Sequence, residues 1–519
     1  MASAQDVANR VPITVGLMLA TVMNSLDSTI ANVALPHMAG SVSASQDQIT
    51  WVLTSYIIAE AIMTPLSGWL SVRFGRKLTF LFSIAGFTLA SMACGLANSL
   101  VEIVVFRLIQ GLCGAALIPL SQAVVLDIYP PSQVGQVMAI WGAGAILGPI
   151  FGPVLGGYLT DNFSWRWVFF INLPIGILAF AAVWVFMRGD RGETARPFDF
   201  LGFGALVIFI GGLQLMLDRG PTLDWFSSTE IWIEAILALL GLWVFVTHTL
   251  TAESPFFDRK LALDRNFVTC NVFGFFIGLF LFSTMALLPP VMQGLMGYSV
   301  FGAGLVMMPR GLGSFAAMFV VGRLVGRVDT RLILITGLGL CSFALWQMTH
   351  FDLSMDSKPF ITTGVIQGLG IGLLFVPLSV TAFATLSPNL RAEGTSVYTL
   401  VRNLGSSVGI SVMEAFYVRQ TSVAHADLAG AVQPGNPSQG GLGMLTGGGG
   451  GGLGLPPGGG GGPGGGLDAL NDAISRQAAM VGLIDVFKLL LILTIVIAPL
   501  LLIMKRPRAA PTPMELSGE

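Results

Sequence analysis

The sequence predicts an all-α, polytopic membrane protein built from two related helical bundles. Scarcity of charge, long apolar runs and an internal repeat carry that prediction. The 519 residues include 26 Lys+Arg and 28 Asp+Glu, so 10% of the chain is charged, where a soluble domain carries roughly 25%. Hydrophobic residues make up 54%, glycine adds 65 more, and the mean hydropathy is +0.78. That is more apolar surface than water tolerates. A net charge of −2 gives no reason to expect nucleic acid as a partner. The long stretch from Val11 does not fit a cleaved signal, so the first span is expected to stay on the mature protein. Cys94, Cys113, Cys270 and Cys341 each sit in an apolar run, and none forms C-x-x-C, so they read as packing residues rather than zinc ligands or disulfides.

A spanning helix needs roughly 20 apolar residues. Fourteen runs qualify, starting near Val11, Ile49, Leu78, Val101, Val134, Trp165, Phe200, Glu230, Phe267, Phe301, Leu332, Phe360, Thr395 and Met480. At about 22 residues each they leave no room for a soluble catalytic domain. Positively charged connections stay cytoplasmic. With the N-terminus inside, the inner connections hold seventeen Lys/Arg, among them Arg73, Arg76, Lys77, Arg188, Arg259, Arg327, Arg391 and Lys505. The outer ones hold five, Arg166, Arg219, Lys358, Arg419 and Arg476. Both termini are therefore expected in the cytoplasm.

Gly68-Trp-Leu-Ser-Val-Arg73 is echoed by Gly322-Arg-Leu-Val-Gly-Arg327, 254 residues later. Ile109-Gln-Gly-Leu112 with Pro119-Leu-Ser121 is echoed by Ile366-Gln-Gly-Leu369 with Pro377-Leu-Ser379, 257 and 258 residues later. Two matches at nearly one period indicate a duplicated bundle, the architecture that places a substrate site between its halves. The expected partition is a six-helix half over 1–190, two inserted helices with cytoplasmic connections over 191–265, and a second six-helix half over 266–504. The second half contains an outer Gly-rich loop over 419–479, and a cytoplasmic tail occupies 505–519.

Ionisable residues at membrane depth are costly and therefore mark function by default. Asp27 lies midway along span one, with Asn24 and Thr21 near its face, and a carboxyl there can bind and release protons as a coupled exchanger requires. The plainer alternative is a neutral aspartic acid hydrogen-bonded between helices. Arg107 has Gln110, Gly111 and Gly114 on its own face and should turn to the bundle interior; the alternative is an arginine snorkelling to the outer surface. Its repeat position is Gly364, so the arginine belongs to one half only, which fits a relay better than packing. Glu60 and Glu414 are further candidates for the proton or cation site, and Arg310 is a candidate counter-charge for one of the carboxyls. Glu234 is expected to reach the outer interface.

In span five, Gly148-Pro-Ile-Phe-Gly-Pro-Val-Leu-Gly-Gly157 follows Gly144, and glycines at i+4 leave one face bare for a neighbouring helix. Pro149 and Pro153 favour a bend. The tract from Gln433 to Gly466 has few side chains to bury and is expected to be a flexible coil. Leu467, Leu470 and Ile474 then keep helical spacing and predict a short amphipathic helix, able to meet a partner or lie on membrane lipids.

Taken together, Leu26-Asp-Ser-Thr-Ile-Ala-Asn-Val-Ala-Leu-Pro36, Leu217-Asp-Arg-Gly220 with Asp224-Trp-Phe-Ser-Ser228, and the Gly-Pro run of span five resemble the major facilitator superfamily. Within it they resemble the fourteen-span drug:proton antiporters of the EmrB/QacA type. The resemblance implies a major facilitator fold, no cofactor, and proton-driven export of hydrophobic or amphipathic compounds across a bacterial inner membrane. It implies that Gly148, Gly152, Pro153, Gly156 and Gly157 form an antiporter motif tied to exchange and that Arg107 takes part in proton relay. It further implies a periplasmic adaptor protein leading to an outer-membrane channel, with Leu467, Leu470 and Ile474 as contacts. Gly68, Arg73, Gly75 and Arg76 match the superfamily's cytoplasmic loop motif, although Val72 stands where that motif has an acidic residue. A dedicated exporter of one metabolite, such as a siderophore or lipid-like product, would use the same motifs. The four histidines form no metal-binding spacing, which disfavours a membrane enzyme, and scattered rather than ringed charges disfavour a channel.

Overall fold

The computed structural model describes residues 9–189, 197–431 and 465–504. These residues are helical apart from turns and a lone bridge between Val325 and Val328. The first group of helices is α1 (Arg10–Ser41), α2 (Trp51–Phe74), α3 (Arg76–Leu96), α4 (Leu100–Gly114), α5 (Leu117–Ile128), α6 (Pro131–Asn162) and α7 (Asn172–Phe186). Then come α8 (Phe200–Arg219) and α9 (Thr229–Thr251), which pack on each other. The rest are α10 (Arg265–Met296), α11 (Val300–Leu324), α12 (Thr330–Met348), α13 (Ser357–Ala384), α14 (Arg391–Ala431) and α15 (Gly465–Ile497).

Many starts are set by a polar cap that accepts a first-turn N–H: Ser99 before α4, Asp199 before α8, Ser228 before α9, Asp264 before α10 and Asp356 before α13. The sharp reversal between α2 and α3 is made by Gly75 at φ 86°, a left-handed backbone that only glycine adopts freely.

Among the described residues, twelve helical stretches are long and apolar enough to cross a membrane, counting α4 with α5 as one. The two other long helices, α2 and α14, fall short because they carry Thr54, Ser55, Glu60, Thr64 and Ser67, and Arg402, Asn403 and Glu414. Much of that polarity is turned inward. Ser67 of α2 meets Ser396 of α14 at 2.9 Å, and a Cβ on Gly68 would stand 3.1 Å from Glu393 Cα. These two helices form one seam between the bundles. The other runs along α6 and α11, where Cβ atoms on Gly135, Gly311 and Gly304 would stand against Val325, Ile150 and Val154.

The stretch around 419–479 departs from expectation. α14 is continuous for 41 residues, about 60 Å at 1.5 Å per residue and twice a bilayer's apolar thickness. Nothing between Arg419 and Gly430 is Gly or Pro, so nothing stops the helix there. Leu467, Leu470 and Ile474 do not form a separate short helix, because α15 runs from Gly465 straight into the last span. The connection expected over 419–479 is thus reduced to 432–464. That glycine tract and the tail over 505–519 lie outside the described residues.

Candidate functional site

Asp27 of α1 and Arg107 of α4 form an ion pair in which both side chains are 0% exposed, with Nη1 donating to Oδ2 at 2.5 Å. The snorkelling alternative for Arg107 is thereby set aside. Asp27 Oδ1 accepts from Gln110 Nε2 at 2.9 Å and from Asn172 Nδ2 of α7 at 2.8 Å. Arg107 Nη1 also donates to Gln110 Oε1, and its Nε donates to the Val52 carbonyl. Its guanidinium lies over the Tyr56 ring, 4.2 Å from the centroid. Coulombic attraction and hydrogen bonds that join α1, α2, α4 and α7 offset the desolvation of both charges, the condition under which a buried pair is tolerable.

Glu60 joins through two steps. Tyr56 donates its hydroxyl to Asn24 Oδ1 at 2.9 Å, and Asn24 Nδ2 donates to Glu60 Oε1 at 3.0 Å. Arg402 of α14 lies within electrostatic range of Glu60, so the network reaches the second bundle. Asn24 therefore serves Glu60 rather than Asp27, and Thr21 pairs with Ser121 at 3.0 Å. Two buried polar atoms of the network, Arg107 Nη2 and Asn172 Oδ1, have no hydrogen-bond partner among the described residues.

The glycine face of α6 lies against α1 beside Asp27. A Cβ on Gly148 would stand 2.2 Å from the Ser25 backbone, and one on Gly152 would stand 2.2 Å from Thr29 Oγ1. Gly156 abuts the Ile30 carbonyl, Gly157 makes only ordinary contact with Val33, and Pro153 is half-buried. Helix–helix contact, not lipid, therefore accounts for the small residues.

Glu414 and Arg310 stand apart from this network. Glu414 is exposed on α14, and its charged neighbour is Asp218 of α8, which accepts from Thr54. Glu234 is buried against the protein, 3.9 Å from Arg219. Arg310 is 5% exposed, and among the described residues it makes no ion pair with any carboxyl; its Nη2 donates to Thr284 Oγ1 at 2.8 Å and to the Leu281 carbonyl. The expected pairing of Arg310 with an acidic residue is corrected accordingly, since α10, α11 and α13 hold no acidic residue. At the turn between α2 and α3, Arg76 finds its acid at Asp127 of α5, which also accepts from Arg391 at 2.6 Å. Asp127 thus supplies the acid that Val72 does not, while Arg73 is exposed. Leu470 and Ile474 are half-buried near the start of α15.

Residues 17–410 match the model of the Major Facilitator Superfamily. The chain is 38% identical over 434 residues to the multidrug export protein EmrB of Escherichia coli K12, covering 83% of this chain and 85% of that one. It is 34% identical over 506 residues to the fatty acid resistance protein FarB of Neisseria gonorrhoeae, covering 95% and 96%. Among solved structures it is similar in fold to the human organic anion transporter MFSD10, with TM-score 0.58 and 15% identity over 95% of this chain and 100% of that one. With a family model spanning most of its length and relatives above 30% identity along nearly all of it, the chain belongs to the Major Facilitator Superfamily.

Proposed function

We propose that this chain is a proton-coupled antiporter that exports hydrophobic or amphipathic compounds across a bacterial inner membrane by alternating access. The observation that carries the reading is the Asp27–Arg107 pair, fully buried and held by Gln110 and Asn172. A carboxylate locked to a guanidinium away from water is a group whose protonation breaks a strong contact and so changes how its helices pack. Arg107 Nη2 and Asn172 Oδ1, buried and unpaired, offer positions where relay water would bond. Because Gly148 and Gly152 lie directly on α1, movement at Asp27 is transmitted to α6 and from there across the seam to α11. The two halves, residues 1–190 and 266–504, rock about that seam, with 191–265 inserted between them. The relatives' names, multidrug export for one and fatty acid resistance for another, support export of apolar or amphipathic molecules. The second name favours a dedicated lipid-like substrate as the other reading, and broad competition in a substrate panel would exclude it.

Both termini lie in the cytoplasm, and the projecting ends of α14 and α15 lie outside, where a periplasmic adaptor meets them and leads to an outer-membrane channel. Transport by purified protein in liposomes under an imposed pH gradient tests the reading. Substrate flux opposite to the proton gradient is expected, and flux indifferent to it would remove the proton-coupled reading.

A further inference from the structure

We propose that Arg310 recognises the carboxylate of an amphipathic substrate, in a pocket that repeats the Asp27–Arg107–Gln110 arrangement with the protein's own carboxylate left out. The inference deepens the exporter reading and rests on it. The repeat offset of 254 residues carries Tyr56 onto Arg310 and Asp27 onto Leu281; the offset of 257 carries Arg107 onto Gly364, Gln110 onto Gln367 and Asp27 onto Thr284. Leu281 and Thr284 are the two residues that Arg310 Nη2 touches. The pockets therefore correspond, with the helices exchanging tasks. α11 supplies the arginine where α2 has Tyr56, and Gly364 makes room where α4 has Arg107, since a Cβ there would stand 3.4 Å from Arg310 Cβ.

What differs is the anion. In the first half Asp27 gives one oxygen to the guanidinium and the other to the glutamine amide. In the second half that place falls to a leucine carbonyl and a threonine hydroxyl. Among the described residues, Arg310 Nε and Nη1 are left without an acceptor, and Gln367 Oε1, on a residue 2% exposed, is left without a donor. A guanidinium at membrane depth with two unpaired nitrogens is expensive to keep, and its planar fork matches a carboxylate. The first half shows how a carboxylate seats there, one oxygen on the guanidinium and the other on the amide of Gln367 once that amide is turned. The site is reachable by the proposed motion, because the next residue, Gly311, abuts Ile150 across the seam that parts when the halves rock.

The test is equilibrium binding of decanoate and of decyltrimethylammonium to the full-length protein in nanodiscs, in chloride-free buffer, for the parent, Arg310→Gln and Thr284→Asp. The first substitution removes the charge, and the second supplies the missing carboxylate from within. The ratio of decanoate to decyltrimethylammonium affinity is expected to fall about tenfold or more in both, the loss of a charge-assisted contact. A parallel fall of both ligands in Arg310→Gln would show a purely structural arginine and overturn the proposal. So would an unchanged ratio in Thr284→Asp, which would mean that bridging water alone serves the unpaired groups. The exporter reading is judged separately, by pH-driven transport of the cationic probe in the parent, so the two failures are distinguishable.

Discussion

Replacing Asp27 by Asn isolates the proton from every other property of the site. Asn keeps the size and the Oδ1 acceptor, so Gln110 Nε2 and Asn172 Nδ2 retain their partner, while the ion pair with Arg107 Nη1 is lost. Both side chains are 0% exposed, so solvent does not screen the loss. Removing one partner of such a pair costs on the order of 3–5 kcal/mol, against roughly 5–15 kcal/mol of total stability for a typical domain. The variant is therefore expected to insert and fold, but with a clearly lowered apparent melting temperature. In transport terms Asn fixes the neutral state that Asp27 visits only when protonated. Proton-driven export from liposomes should vanish, while substrate exchange without a pH gradient persists. Export driven by a pH gradient at the parent's rate would refute the assignment, whatever the stability change.

Arg107→Ala is expected to abolish pH-driven export, and Arg107→Lys to retain part of it, because Lys keeps the charge but cannot serve Asp27, Gln110 and the Val52 carbonyl together; parental rates in both would remove the guanidinium from the mechanism. Gly152→Leu drives a side chain into Thr29, so exchange should fall severalfold even in protein that reaches the membrane, and normal transport would mean that α1 and α6 separate freely. Charged residues at Leu470 and Ile474 should weaken drug resistance in cells while sparing transport in liposomes, whereas shortening Gly447 to Gly466 should be tolerated. Crosslinks from 470 and 474 to lipid alone, with none to a co-purifying soluble protein, would dismiss the adaptor contact.

Asp27 and Arg107 were legible in the sequence because a charge inside an apolar run is conspicuous whatever surrounds it. Their partners were not equally so. Asn172 and Tyr56 are unremarkable residues on other helices, and only the packing of α7 and α2 against α1 and α4 makes them ligands of the pair. The i+4 glycines announced a contact face but not its occupant, which is the Ser25–Thr29 stretch of α1. Asp127 gave a weak signal, an acid just before Pro130 and Pro131 at the end of span four, and its bridging of Arg76 and Arg391 joins residues 315 positions apart. Arg402 was overlooked, although a charge in span thirteen carries the same warning as Arg107. Arg310 was conspicuous for the same reason, yet its surroundings turned out neutral. Periodicity located the spans well but misjudged where α14 stops and α15 starts, since a helix that leaves the membrane keeps its spacing after it loses its hydropathy.

The central claim is that substrate and proton movement are one process routed through Asp27. The most direct measurement imposes a substrate gradient across liposomes with no initial pH difference and follows lumenal pH with a trapped dye. Proton flux opposite to substrate flux in the parent, absent in Asp27→Asn, is the predicted result; substrate movement by the parent without any change in lumenal pH would contradict it.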